Sequence, residues 1–213
     1  MDARARIDTI SELAASQAGL FTAAQAKRFG VSGDAIAYMA KTGRIERLEH
    51  GVYRISGIPS TEQQDIYAVW LGTDPERMAF ERNKSFDGIV VGGRSAAALH
   101  DIGDFFLSPF VFLTRDRINS KRQNVVFRKR GIEADDVVYL DGGLPVTSIA
   151  RTLYDLKVDH EDPSLLHDAA RDALRQGASF DHERLLELAR NSPTRKRTRY
   201  LKDFTLMLEG GDT

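Results

Sequence analysis

The 213-residue chain contains no cysteine, which excludes disulfides, thiolate metal sites and cysteine nucleophiles together and suits a reducing cytosol. It has no apolar run approaching the ~18 residues that a membrane-spanning helix needs. Its start, MDARARIDTI, is amphipathic rather than an apolar leader, so a cytoplasmic protein without membrane contacts is expected. Neither sign of charge is in excess. Lys+Arg number 30 and Asp+Glu 31, for a net charge of -1, and any nucleic-acid surface must therefore be a local patch on a molecule that is neutral as a whole.

Signatures of catalysis and cofactor binding are equally scarce. The histidines, His50, His100, His160, His167 and His182, lack metal-ligand spacing such as the i, i+4 pair of a zinc helix, so no metal is expected. Gly92-Gly93-Arg94-Ser95 comes with neither a Walker lysine nor a dinucleotide glycine pattern; it reads as a tight turn with Ser95 as N-cap rather than as a phosphate cradle. Glu81-Arg82-Asn83-Lys84 and Asp155-Leu156-Lys157 match the acid-plus-lysine need of a nuclease only loosely. No catalytic residue and no cofactor are assigned. No internal repeat or low-complexity tract is present.

What the chain does contain is a short pattern over residues 20–55. Thr22 is a good N-cap, residues 23–29 are mostly strong helix formers, and Gly30 stops them. Val31 turns inward and Ser32 caps a second helix over 32–42, with Ile36, Met39 and Ala40 facing the core and Gly43 ending it. The opposite face carries Gly33, Ala37, Tyr38 and Lys41, slim and polar-tipped as the DNA major groove requires. Ile45 and Leu48, then Val52 and Ile55, alternate with polar residues across Glu49-His50-Gly51, which predicts a hairpin. That hairpin is the wing of a winged helix-turn-helix. Its Arg44, Arg47, His50 and Arg54 are placed for phosphate contact, with Thr22, Lys27 and Arg28 bracing the backbone from the preceding helix and Ser32 joining the groove-facing set. An amphipathic stretch over 4–17, with Ile7, Ile10, Leu13 and Ala14 at helical spacing, predicts the first helix of the three-helix core.

A length of 213 residues with 42% hydrophobic content accommodates two domains. Residues 56–60, Ser56-Gly57-Ile58-Pro59-Ser60, interrupt both periods and are the expected junction, giving domains 1–58 and 59–213. Helices are expected over 61–70 and 74–81. Short β-rich runs at 88–92, 110–114, 124–128 and 136–140 are expected to pair in one sheet, surrounded by helices over 95–99, 148–156, 163–176, 181–190 and 198–208. In 148–156, Ser148 caps, Ile149, Leu153 and Leu156 pack inward, and Arg151 pairs with Asp155. The fold class is α+β: an N-terminal winged helix-turn-helix followed by a mixed α/β domain with one central sheet.

Two basic clusters stand apart. Arg115, Arg117, Lys121, Arg122, Arg128, Lys129 and Arg130 frame a strand-loop-strand connection, and Arg195, Lys196, Arg197 and Arg199 sit at or before the start of the last helix, where cations oppose the helix dipole. Flanking DNA, an acidic partner surface and plain solvation all remain open for this second basic surface.

Gly30-Val31-Ser32, Gly43-Arg44-Ile45 and His50-Gly51-Val52-Tyr53-Arg54, followed by residues 95–100 and by 144–156, make the chain resemble the AbiEi family of antitoxins over roughly residues 18–156. The resemblance implies an antitoxin of a bicistronic toxin-antitoxin system. In such a system the N-terminal domain binds inverted repeats of double-stranded promoter DNA and represses the operon, as a monomer or weak dimer that is cooperative on DNA. The C-terminal domain neutralises a nucleotidyltransferase-like toxin. The competing readings are a stand-alone winged-helix transcriptional regulator, and an enzyme acting on nucleic acid or covalently modifying the toxin.

Overall fold

The computed structural model describes residues 2–57, 61–177 and 180–209. They form two compact units: residues 1–87 with 139–144, and residues 88–138 with 145–213.

The first unit opens with α1 (Ala3–Ala15), capped by Asp2. Then come β1 (Leu20–Thr22), α2 (Ala23–Arg28), α3 (Gly33–Lys41), β2 (Ile45–Glu49) and β3 (Val52–Ile55). The strands form an antiparallel sheet of order β1-β3-β2. Ile10, Leu13, Phe21, Val31, Ile36, Met39 and Ile45 are buried together beneath it. The expected helices and hairpin are all present. The strand β1 was not expected, because three residues are too few to show a period of two; it forms by pairing Phe21 with Tyr53 across to β3.

The junction expected at 58/59 does not divide the compact units, and its residues 58–60 lie outside those described. Two further helices, α4 (Glu62–Leu71) and α5 (Ala79–Lys84), belong to the first unit. Buried amides explain why. Gln17 and Gln25 bond each other at 2.9 and 3.1 Å, Gln25 Nε2 donates to the Arg77 carbonyl at 2.9 Å, and Gln17 Oε1 accepts from Ala79 N at 2.9 Å. Unpaired, such groups would be costly to bury. The guanidinium of Arg82 stacks 3.6 Å over the Trp70 ring and bonds the Trp70 carbonyl and Asp87, so even the charge of α5 is spent inside the unit. The helix expected over 74–81 starts only at Ala79. Pro75 disfavours helical backbone at Asp74, and Met78 is extended at the N-cap.

The second unit contains β4 (Ile89–Val91), α6 (Gly93–Leu99), β5 (Phe110–Thr114), β6 (Val125–Lys129), β7 (Val137–Tyr139) and β8 (Pro145–Thr147). Four helices follow: α7 (Ile149–Val158), α8 (Pro163–Arg175), α9 (His182–Arg190) and α10 (Thr194–Glu209). The sheet has order β6-β5-β4-β8-β7; β4 runs antiparallel to β5 and parallel to β8, and β6 runs parallel to β5. This is the single central sheet expected, with β8 added from a segment that no expected strand covered. Ile149, Leu153, Leu156, Leu166, Leu185, Tyr200 and Phe204 make the helical core. Ser95 is not an N-cap. Gly92 takes that place, and the buried Ser95 hydroxyl donates to the Leu107 carbonyl at 2.7 Å and accepts from Val111 N at 2.9 Å. The turn at 92–95 is structural.

Candidate nucleic-acid interface

The α2–α3 pair owes its angle to caps and one turn. Thr22 Oγ1 accepts from Gln25 N at 3.0 Å while Gln25 Oε1 accepts from Thr22 N at 2.9 Å, a reciprocal cap that fixes the start of α2. Gly30 adopts φ +84, a backbone that L side chains resist, and the buried Val31 follows, its N–H closing on the Ala26 carbonyl at 2.9 Å. Ser32 then caps α3 through Ala35 N at 3.3 Å.

On α3, Ala35, Ile36 and Met39 are buried, and Ala40 is half-buried. Gly33, Ala37, Tyr38 and Lys41 are all exposed, with 62% of Tyr38 in solvent. A helix that seats its apolar stripe and offers a small, polar-tipped opposite face is what a major groove admits. Asp34 is also exposed in the first turn, one helical step from Tyr38 and two from Lys41. Sequence reasoning passed it over; its signal was that i, i+4, i+7 spacing. A carboxylate there favours the helix dipole and can accept a hydrogen bond from a cytosine amino group.

The wing forms as expected, with a register shift between Arg47 and Glu49 and Gly51 at φ +75 in the turn. Arg44, Arg47 and His50 are exposed. Arg47 Nε donates to the Glu49 carbonyl at 3.2 Å and its Nη2 lies 2.8 Å from His50 Nδ1, so two of the tip's polar side chains hold each other in place.

Three residues expected on this face are elsewhere. Arg54 is only 7% exposed: β3 turns it inward with Val52, toward Glu46 and Gln64 on α4. Thr22 is buried, its hydroxyl shared between the cap of α2 and the Pro75 carbonyl. Arg28 is engaged by α5, its guanidinium making a two-pronged pair with Glu81 at 2.8 and 2.9 Å. Hydrogen bonding to Arg28 holds the Glu81 carboxyl down to about 2. In each case an element from beyond residue 58 supplied the partner, or β3 packed against one. What remains of the expected set, all of it exposed, is Lys27, Ser32, Gly33, Ala37, Tyr38, Lys41, Arg44, Arg47 and His50.

The basic clusters of the second unit also separate. Arg115, Arg117, Lys121 and Lys129 are exposed and Arg122 is half-buried. Arg128 pairs with Asp159, while Arg130 reaches Asp155 at 3.0 Å and Asp159 at 2.6 Å. These join a buried ladder: Arg151 bridges Asp155 and Asp136, both at 2.9 Å, and Arg184 reaches Asp136 at 2.9 Å. Burial pushes the Asp155 carboxyl up, against the pull of its two arginines. The ladder answers its own charges, which is the signature of structure rather than of an open anion site. Among the described residues no group of acids and histidines has metal-binding geometry, and no helix is long and apolar enough to cross a membrane.

Residues 8–56, from within α1 to the end of the wing, match the family model described as "Transcriptional regulator, AbiEi antitoxin", in agreement with the resemblance read from the sequence. The fold is similar to the crystal structure of the RV2827C protein from Mycobacterium tuberculosis, with a TM-score of 0.59 and 18% identity over 98% of this chain and 76% of that one. At that identity the likeness is one of fold. No curated protein gives a match. The family match supports an antitoxin role with DNA binding, and a regulator of this kind is consistent with a non-enzymatic chain.

Proposed function

We propose that the chain is a DNA-binding antitoxin that represses its own promoter through α3 and the wing, and that the second unit neutralises a nucleotidyltransferase-like toxin. The observation that carries this reading is the exposed stripe of Gly33, Ala37, Tyr38 and Lys41 beside the cationic wing residues Arg44, Arg47 and His50, within the segment that matches the regulator family. α3 supplies the base-reading tips, and the wing and Lys27 supply phosphate contacts that fix register without sequence information. Promoter inverted repeats are the double-stranded target, bound by a monomer or weak dimer that is cooperative on DNA, in the cytoplasm.

The experiment joins both halves of the proposal. DNA upstream of the gene is titrated with the intact protein and with Tyr38→Ala/Lys41→Ala, and each is co-expressed with the product of the adjacent gene. The double variant is expected to lose operator binding and keep growth rescue. Point variants are preferred to deletion at residue 58, which would strip α1 to β3 from the core that α4 and α5 share. Undiminished operator binding would contradict the assigned face, and loss of rescue together with binding would contradict the division of labour.

A further inference from the structure

The second unit holds a cleft of about 250 Å³ between the end of α7, the start of α8 and the first turns of α10. Its lining is strongly cationic: Lys157, Arg195, Lys196 and Arg199, with the exposed His160 at the rim. The one carboxylate in the lining, Glu161, is already bound by Arg94 at 2.6 Å. Asp203 takes Lys157 at 2.6 Å and stands 3.7 Å from Arg199. That leaves Arg195 and Lys196 with no carboxylate partner among the described residues. Neither serves the helix it sits on, because cations in the first turn of α10 oppose its dipole. Asp162 already caps α8, so the attraction of the cleft comes from side chains and not from a helix end.

Tyr200 adds a second, independent observation. It lines the cleft and is only 3% exposed, yet its hydroxyl has no hydrogen-bond partner among the described residues. Lys196 Nζ stands 5.8 Å from the centre of the Tyr200 ring, which steers the ammonium across this wall. A buried hydroxyl is rarely left unpaired in a folded protein.

We propose that this cleft binds a small phosphate-bearing anion, held by Arg195, Lys196 and Arg199 and receiving a hydrogen bond from the Tyr200 hydroxyl. The volume suits one or two phosphoryl groups with little else enclosed, so a larger ligand would leave its remaining part in solvent. Arg195 supplies a planar fork for two phosphoryl oxygens and Lys196 a compact charge, the usual complement for a dianion.

The test is calorimetric titration of the intact protein with pyrophosphate, with ATP and with a short duplex of unrelated sequence, at low and at physiological salt. Saturable one-to-one binding of pyrophosphate and ATP is expected, weakened about tenfold or more by Arg195→Gln/Lys196→Gln, since each charge-assisted bond is worth about that factor. Operator binding, which uses the first unit, is expected to be unchanged in that variant. Tyr200→Phe is expected to weaken pyrophosphate binding while leaving the melting temperature of the free protein the same or higher, because its hydroxyl has no partner to lose. Absence of saturable binding, or equal affinity in the double variant, would overturn the proposal. So would a lowered melting temperature in Tyr200→Phe with unchanged affinity. Duplex binding that the double variant abolishes and pyrophosphate does not displace would overturn it too, assigning the cleft to nucleic acid.

Discussion

Arg54 Nη2 stands 2.5 Å from Glu46 Oε2, its register partner on the adjacent wing strand. The same guanidinium reaches Gln64 Oε1 at 3.1 Å, so this cation fastens the wing to α4 and does not face solvent. Arg54→Ala leaves Gln64 Oε1 without its donor and is expected to lower stability by roughly 1–3 kcal/mol. In urea unfolding this reads as a lower midpoint at unchanged slope. The slope of log operator affinity against log salt is expected to stay as in the parent protein; a slope reduced by about one would place Arg54 on a phosphate after all.

Arg151 is the middle rung of the ladder in the second unit, 6% exposed and shared by Asp136 and Asp155, each fully buried. Arg151→Met leaves two carboxylates facing each other's field without it, and is expected to destabilise the protein by about 3–5 kcal/mol. The 40%-exposed Arg128 is solvent-screened, and its Met variant is expected to cost less than about 1 kcal/mol. Equal costs in a thermal or denaturant melt would show that the ladder is not organised by burial.

His100 carries a pH dependence. Burial holds its imidazole below the ordinary value while Nε2 lies 2.6 Å from the Thr147 carbonyl oxygen. A basic group whose folded pKa is depressed binds its proton more tightly when unfolded, so the folded state is favoured above the unfolded value and loses stability as pH falls from about 6.5 toward the depressed folded value. Melting temperatures measured across that window are expected to fall in the parent protein and to fall less in His100→Asn. Parallel curves would refute the assignment.

The sequence displayed the helix-turn-helix because its signals are local: Thr22 and Ser32 as caps, Gly30 and Gly51 at positive φ, and the spacing of Ile36 and Met39 all act within a few residues. What stayed hidden depends on distant partners. Arg54 and Arg28 look alike in sequence to Arg44 and Arg47, and only Gln64 and Glu81, from α4 and α5, decide that the first pair is occupied. Strand β1 escaped because its three residues show no period, and the unit boundary because Gln25, paired with Gln17, recruits the Arg77 carbonyl from 52 residues away on the far side of a proline-bearing junction. The Arg151–Asp155 pair was legible from i, i+4 spacing, whereas its extension to Asp136, Arg130 and Arg184 required the fold.

The most direct measurement of the central claim is operator affinity as a function of salt for the parent protein, Lys41→Ala and Arg44→Ala. Each variant is expected to bind more weakly, and Arg44→Ala to lower the salt slope by about one, the mark of a lost phosphate contact. Affinities and slopes identical to the parent in both variants would contradict the assignment of α3 and the wing to DNA.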